Sequence, residues 1–338
     1  MLKGIASLVL GLAAASWAAG AAEPLNIRQG WVTLNNTLEV LAFDKPDILP
    51  HYGKSYRVTQ TRFSGTSAEV TALATGEIDL CTIAYSSFGA AILNARLDDI
   101  RVVADGFQDG YADYLSTPYL VLNDSGIRTI EDLKGKAIAV NVIGGAVDIG
   151  ARANLKAHGL EHGRDYTIVE APFPAMGSML QQHKLDVIAG APPFMLDPNL
   201  VAVSHPLFHM KDEMGPSQMI AIVARTGFLE KNRAALDDFF ADMVRGVHWL
   251  LDPRNRPQVI AFVAQETKDA PASFAGYYLT KDDFYHQPDG IPNIAAFQRN
   301  IDTQRKLGFL KDGIDVAKFS DLSFIERAAA AVAADERR

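Results

Sequence analysis

Short apolar runs alternate along the chain with longer segments in which apolar residues recur every three or four positions. The runs have the length and β-branched content of buried strands, and the longer segments have the spacing of amphipathic helices. This alternation is typical of α/β proteins with parallel sheets. The predicted strands are 25–32, 57–63, 80–84, 100–104, 119–122, 137–142, 166–169, 185–189 and 219–224.

Helical spacing dominates from residue 232 onward, with long helices predicted over 234–251, 258–267 and 294–307. The chain has 338 residues, more than one hydrophobic core usually serves, and this length predicts two domains. No low-complexity linker or internal repeat separates them. We therefore expect ordered crossings of the chain between the domains rather than a flexible tether.

The N-terminus has the pattern of a secretory signal peptide. Lys3 precedes an apolar run over 5–15, and the small residues at 19–22 resemble a cleavage site. The run is well short of the roughly 20 residues that a membrane-spanning helix needs. Residues 1–22 are therefore predicted to be a signal peptide. No cysteine follows them to carry a lipid, so we expect a soluble, exported, periplasmic chain.

Charge and candidate chemistry exclude several functions. A net charge of -8 argues against nucleic acid and against an anionic membrane surface as partners. Cys81 lies in an apolar strand, where a buried thiol is expected, and no HExxH, SxxK or GxSxG motif occurs. His205 and His209 have a spacing that metals use, but Pro206 favours a loop there. No metal, cofactor or catalytic residue is predicted.

Three predicted helices begin directly after strands with glycine or hydroxyl-bearing residues. They begin at Ser64-Gly65-Thr66-Ser67, where a strand ends, at Ser86-Ser87, which are expected to cap a helix starting at Phe88, and at Gly144-Gly145-Ala146. The unpaired N–H groups and the dipole of a helix N-terminus favour an anion. Each could instead be an ordinary N-cap. Their position at neighbouring strand ends favours a shared anion site.

Aromatic residues and one carboxylate complete the candidate binding site. Trp31 ends the first predicted strand and Tyr85 precedes the second helix start, while Phe173 is expected to end a strand of the second domain and Pro192 to follow one. Such residues suit a ring-bearing or partly apolar ligand, with core packing as the alternative. Asp113 could neutralise an ammonium group on the ligand or belong to a solvated loop.

Four segments carry the signatures of a known family in the expected order. They are 63–79, 130–140, 179–189 and 321–328. The set resembles the nitrate/sulfonate/taurine-type solute-binding proteins of ABC transporters. The resemblance implies a two-lobed type II periplasmic binding protein, an α/β fold with parallel-type sheets flanked by helices and a ligand cleft between the lobes. It places lobe I at 23–117 and 221–338, and lobe II at 118–220.

The resemblance also implies a function. The protein would be a monomer that closes on a small organic anion of sulfonate or carboxylate type, aromatic ones included, and delivers it to a membrane permease and its ATPase. Family members often carry Ser or Thr after the glycine of the second-lobe loop, whereas this chain has Gly145-Ala146, which argues against assigning sulfonate or nitrate outright. A ligand-presenting subunit of a membrane sensor and an exported enzyme on the same fold are the alternatives.

Overall fold

The computed structural model describes residues 23–337, so the predicted signal peptide lies outside the described residues. The strands are β1 (Leu25–Trp31), β2 (Tyr56–Arg62), β3 (Leu80–Ala84), β4 (Ile100–Asp109), β5 (Pro118–Leu122), β6 (Lys136–Val140), β7 (Tyr166–Glu170), β8 (Val187–Ala189), β9 (Ser204–His209) and β10 (Ser217–Arg225).

The α-helices are α1 (Leu38–Leu41), α2 (Thr66–Thr75), α3 (Tyr85–Leu93), α4 (Ala146–Ala157), α5 (Phe173–Gln181), α6 (Pro198–Val201), α7 (Lys211–Met214), α8 (Thr226–Lys231), α9 (Arg233–Leu251), α10 (Arg256–Thr267), α11 (Ala272–Ala275), α12 (Ile294–Lys306) and α13 (Ser323–Asp335). Short 3-10 helices cover Leu34–Asn36, Ala42–Asp44, Pro46–Ile48, Ile130–Leu133, Phe194–Leu196, Pro253–Asn255 and Val316–Phe319.

The strands form two five-stranded sheets that have related orders. The first sheet runs β2-β1-β3-β10-β4 and the second runs β7-β6-β8-β5-β9. In each sheet the first three strands are parallel. The strands β10 and β5, which directly follow the two crossings between the sheets, run antiparallel to their neighbours. Two helix-flanked sheets confirm the predicted α/β binding-protein fold.

The two crossings are held together by a buried carboxylate. Asp109, at the end of β4, accepts hydrogen bonds from the Ser116 hydroxyl at 2.6 Å and from the Thr117 backbone N–H at 2.8 Å. The Ser116 oxygen in turn accepts the Lys211 N–H of the return crossing at 3.0 Å. The predicted lobe boundary between 220 and 221 falls inside β10, which pairs with the first sheet from Ser217 onward.

Helices cover both faces of the first sheet. On one face α9 packs against β2 and against α13, and on the other face α2 packs on β3 while α3 and α12 pack on β10. The central strand β3 is consequently buried at all five positions, which explains its unbroken apolar sequence. No helix among residues 23–337 is both long and apolar enough to cross a bilayer.

The prediction of a loop around the histidine pair is wrong. His205 and His209 lie on β9, which is the outer strand of the second sheet. An edge strand tolerates Pro206 because the N–H that proline lacks is not needed by a further neighbour. His205 Nδ1 is 2.8 Å from Asn123 Oδ1. Within the described range, no three His, Cys, Asp or Glu side chains are grouped so as to hold a metal ion.

One close contact fixes α9 against the 3-10 helix Ala42–Asp44. A methyl group at Gly246 would overlap the Cβ of Ala42, so only glycine allows this approach. We predict that Gly246→Ala lowers the free energy of unfolding by about 1–3 kcal/mol through overpacking. The matched control is Gly227→Ala in α8, where a Cβ meets nothing within 4 Å and stability should hold or rise. Equal denaturation midpoints for the two variants would contradict the packing described.

Candidate functional site

A cavity of about 610 Å³ lies between the two sheets, at the carboxyl ends of their parallel strands. This is where open α/β sheets place their ligands. Its walls are formed by the starts of α2, α3 and α4, with contributions from β4, β10 and residues near 284. Most of the predicted binding residues lie in its lining, namely Ser64, Gly65, Thr66, Ser67, Ser86, Ser87, Gly144, Gly145, Ala146 and Phe173.

The wall on the first sheet joins two helix starts. Gly65 is the N-cap of α2, and the hydroxyls of Thr66 and Ser87 are hydrogen bonded at 2.6 Å, which places the first turns of α2 and α3 side by side. Ser86 and Ser87 were expected to cap their helix, but α3 begins at Tyr85, so both lie within its first turn. Backbone N–H groups of a first helical turn have no partner inside the helix.

The wall on the second sheet is different, because its loop N–H groups are already engaged. The Ile143 N–H donates to Glu170 Oε2 at 2.9 Å, and the Gly144 N–H donates to Asp148 Oδ2 at 2.7 Å. The Asp148 side chain is buried, and Arg152 Nε pairs with its Oδ1 at 2.7 Å. A carboxylate of the protein itself therefore occupies the start of α4, which lowers the capacity of this wall to hold an anion.

Apolar side chains dominate the rest of the lining. Val142 and Ile143 precede the glycines on the second wall and are 48% and 52% exposed. Phe107 and Phe284 form an aromatic pair with ring centroids 4.8 Å apart, and Phe173 starts α5 rather than ending a strand. Among the described residues that line the cavity, none carries a charged side chain. The site thus offers neutral donors on one wall and apolar surface on the other.

Tyr85 does not line the cavity; it joins the two halves of the fold. Its side chain is fully buried, and its hydroxyl donates to the Ala146 carbonyl oxygen at 2.6 Å. Tyr85 starts α3 beside the first sheet and Ala146 starts α4 beside the second. The hydrogen bond therefore fixes the relative position of the two helix starts that face each other across the cavity.

Three other predicted residues also lie outside the lining. The guanidinium carbon of Arg62 lies over the Trp31 ring, 5.7 Å from the centroid of that ring. Asp113 is exposed in a turn, with a φ of 64°. Pro192 is buried and its bond to Pro193 is cis. Chain neighbours of two of them line the cavity instead: Val32 and Thr33 after Trp31, and Gly190 and Ala191 before Pro192.

Several lining residues were missed from the sequence. Asn141, Val142 and Ile143 follow β6 directly, so the strand-end rule that selected Gly144 could have found them. Ile220 and Phe284 come from distant parts of the chain, and no local pattern marks them.

A buried acid lies behind the cavity. Glu69 Oε1 accepts hydrogen bonds from the N–H and hydroxyl of Thr82, a lining residue, at 3.1 and 2.9 Å. Its second oxygen has no partner among the described residues. Burial raises the pKa of Glu69 from 4.5 to about 8, so the side chain is largely protonated at neutral pH.

The two helix-flanked sheets, the paired crossings and the cavity between them define the periplasmic binding-protein class of fold. The sequence model of the NMT1-like family matches residues 20–264, so the chain belongs to the NMT1-like family. No curated protein is similar in sequence at a significant level.

Solved structures share this fold at low sequence identity. The periplasmic aliphatic sulphonate binding protein SsuA from Escherichia coli has a TM-score of 0.69 and 18% identity, covering 88% of this chain and 97% of that one. The periplasmic nitrate-binding protein NrtA from Synechocystis PCC 6803 has a TM-score of 0.68 and 14% identity, covering 92% and 89%. The desulfurization enzyme DSZB has a TM-score of 0.63 and 13% identity, covering 93% and 100%. The predicted resemblance to sulfonate- and nitrate-binding proteins is confirmed.

We predict that Glu69 makes stability depend on pH. Because its pKa is higher in the folded chain, its contribution to stability is complete below pH 4.5 and is lost as the pH rises to about 8. Glu69→Gln removes this titration. Relative to the wild type, the variant should gain on the order of 4 kcal/mol in unfolding free energy between about pH 5 and about pH 9, since each unit by which the pKa is raised corresponds to about 1.4 kcal/mol.

Urea denaturation at several pH values measures the difference. Burial also raises the pKa of Asp105 to about 7, so Asp105 contributes to the same loss of stability with rising pH. Because Asp105 is present in both proteins, the difference between the variant and the wild type reports Glu69 alone. The control is Glu77→Gln, at an exposed carboxylate two residues beyond α2, which should follow the wild type. A constant difference between Glu69→Gln and wild type at all pH values would show that folding does not raise the pKa of Glu69.

Proposed function

We propose that this chain is the periplasmic solute-binding subunit of an ABC importer, and that it closes on a small organic anion of sulfonate or carboxylate type. The observation that carries the proposal is the cavity between the two sheets, with two helix starts and their hydroxyls on one wall. Family membership, the fold shared with sulfonate- and nitrate-binding proteins and the predicted signal peptide support it. A permease and its ATPase are the partners that this function requires.

The anionic head of the ligand would bind at the starts of α2 and α3. Each start supplies unpaired N–H groups and about half a positive charge. Ser64, Ser67 and Ser86 add hydroxyl donors from the lining, while the hydroxyls of Thr66 and Ser87 bind each other. Neutral donors of this kind favour a singly charged head, because no cationic side chain is present in the described lining to balance a second charge.

The body of the ligand would contact the opposite wall. Val142, Ile143 and Phe173 present apolar surface there, and the loop N–H groups beside them are already bound. A cavity of about 610 Å³ is in the size range of organic ligands and is much larger than nitrate or sulfate requires. The burial of an apolar body should therefore favour organic anions, aromatic ones included, over inorganic ones.

Closure of the two halves would follow from binding to both walls. A ligand that contacts the first wall with its head and the second with its body binds the closed arrangement better than the open one, and shifts the population accordingly. The hydrogen bond from Tyr85 to Ala146 joins the two helix starts that such a closure would bring together. A subunit that presents its ligand to a membrane sensor would use the same cavity and differ only in its partner.

Catalysis on the same fold is the competing function, since DSZB is described as an enzyme. The described lining contains no histidine, cysteine, carboxylate or amine that could serve as a nucleophile or proton carrier. Cys81 lies in β3 with no exposed surface, and burial raises the pKa of its thiol, which disfavours the reactive thiolate. These features favour binding without turnover.

We predict that Ser86→Asp abolishes anion binding while the fold is retained. The new carboxylate would stand in the first turn of α3 inside the cavity and repel the ligand head, although it is favourable for the helix itself. Calorimetry with the tightest member of a panel of alkane- and arenesulfonates and carboxylates should show one site in the wild type and an affinity at least about 100-fold weaker in the variant, a loss of about 2.7 kcal/mol.

The control is Ser273→Asp, which adds the same charge to an exposed position at the start of α11, away from the cavity, and should leave the affinity unchanged. Mass spectrometry should recover the bound compound unaltered after prolonged incubation with the wild type. Unchanged affinity in Ser86→Asp would place the anion elsewhere, and conversion of the compound would favour an enzyme.

A further inference from the structure

The rim of the cavity on the first sheet carries a cation, although the lining itself holds none. β1 and β2 run parallel, and their last paired residues are Trp31 and Arg62. Beyond this pair both segments enter the lining: Val32 and Thr33 follow Trp31 directly, and Ser64 lies two residues after Arg62. Two residues of chain span at most about 7 Å between Cα atoms, so Arg62 lies at the edge of the wall that contains the start of α2.

The Arg62 guanidinium is held in position without being neutralised. Its central carbon lies over the Trp31 ring, and this cation–π contact orients the side chain but leaves its charge in place. The residue is exposed, and none of the ion pairs among residues 23–337 includes it. Arg28 on the neighbouring strand, by contrast, is paired with Asp79 at 2.6 Å. The Arg62 charge is therefore available to an ion that approaches the cavity from solvent.

A single cation at this place matters because the rest of the molecule does not attract anions over a distance. The chain has a net charge of -8, and no charged side chain belongs to the described lining. The effect of a helix end on a charge is confined to about one turn. A full charge acts over about a Debye length, which is roughly 30 Å at 0.01 M salt and roughly 8 Å at 0.15 M. Arg62 thus attracts an anion before the helix starts do.

We propose that Arg62 captures the anionic ligand at the rim and raises the rate at which its head reaches the starts of α2 and α3. It acts by attraction from a distance and not by a contact in the bound state, since its side chain is not part of the lining. The ligands that it favours carry a net negative charge, whereas a zwitterionic sulfonate gains little from it. This inference rests on the proposed function, because it assumes that an anion binds in the cavity.

Stopped-flow tryptophan fluorescence with 4-methylbenzenesulfonate measures the association and dissociation rate constants separately. At about 0.01 M salt, Arg62→Glu should lower the association rate constant about three- to fivefold, because two units of charge change within roughly 10 Å of the anion. The deficit should disappear at about 1 M salt, where the Debye length is roughly 3 Å. The dissociation rate constant should change less than the association rate constant, as is typical of a charge at a rim.

Two further variants separate the local charge from other effects. Arg62→Lys keeps the charge, so its association rate constant should stay close to that of the wild type. Arg57→Glu makes the same change in net charge at an exposed position of β2 that belongs to none of the ion pairs in the described range. It lies five residues earlier on the strand, about 16 Å farther from the rim, so it should lower the association rate constant less than about 1.5-fold.

Equal association rate constants for the wild type and Arg62→Glu at low salt would overturn the role of Arg62 and leave the proposed function intact. A deficit that persists at about 1 M salt, or that Arg62→Lys shares, would indicate a structural effect on Trp31 and would overturn it as well. So would an equal deficit in Arg57→Glu, which would point to net charge alone, or a change confined to dissociation, which would point to a contact in the bound state. Failure of every organic anion to bind the wild type would instead refute the proposed function itself.

Discussion

The buried Asp148 carboxylate accepts the Gly144 N–H at 2.7 Å and is paired with Arg152, so a carboxylate of the protein itself lies at the loop that leads into α4. On the opposite wall the first turn of α3 has no acidic residue, and the acid in the first turn of α2, Glu69, binds Thr82 and is largely protonated at neutral pH because burial raises its pKa to about 8. A helix start attracts an anion only where its N–H groups are free. This difference therefore makes the wall on the first sheet the better place for an anion, and the two walls of the cavity are not equivalent. The head and the body of a ligand are assigned to opposite walls on that basis.

Local contacts also join the two walls of the cavity to each other. Ala146, the first residue of α4, accepts the Tyr85 hydroxyl from the start of α3, so the helix starts that form the walls are bonded to each other. Asp109 binds Ser116 and Thr117 of the first crossing, and the Ser116 oxygen accepts the Lys211 N–H of the return crossing. A ligand between the walls would contact the same two helix starts that this hydrogen bond between Tyr85 and Ala146 joins.

The sequence predicted the strands well where both faces of a sheet are covered, as in β3, because burial on both faces enforces an apolar run. It missed β9, where Pro206 is tolerated only by an outer strand. Within the cavity, the strand-end rule found the helix starts. It could not foresee that Tyr85 bonds across the cleft, or that Phe284 reaches the lining from a distant segment, since both depend on tertiary contacts.

The central claim is that the anionic head of the ligand binds at the starts of α2 and α3 and not at the start of α4. A crystal structure of the chain with bound 4-methylbenzenesulfonate would test it most directly. The sulfonate oxygens should lie within hydrogen-bond distance of the first turns of α2 and α3, with the ring against Val142, Ile143 and Phe173, and with the Asp148 carboxylate still bound to Gly144. A sulfonate at the start of α4, with Asp148 displaced from Gly144, would contradict the account.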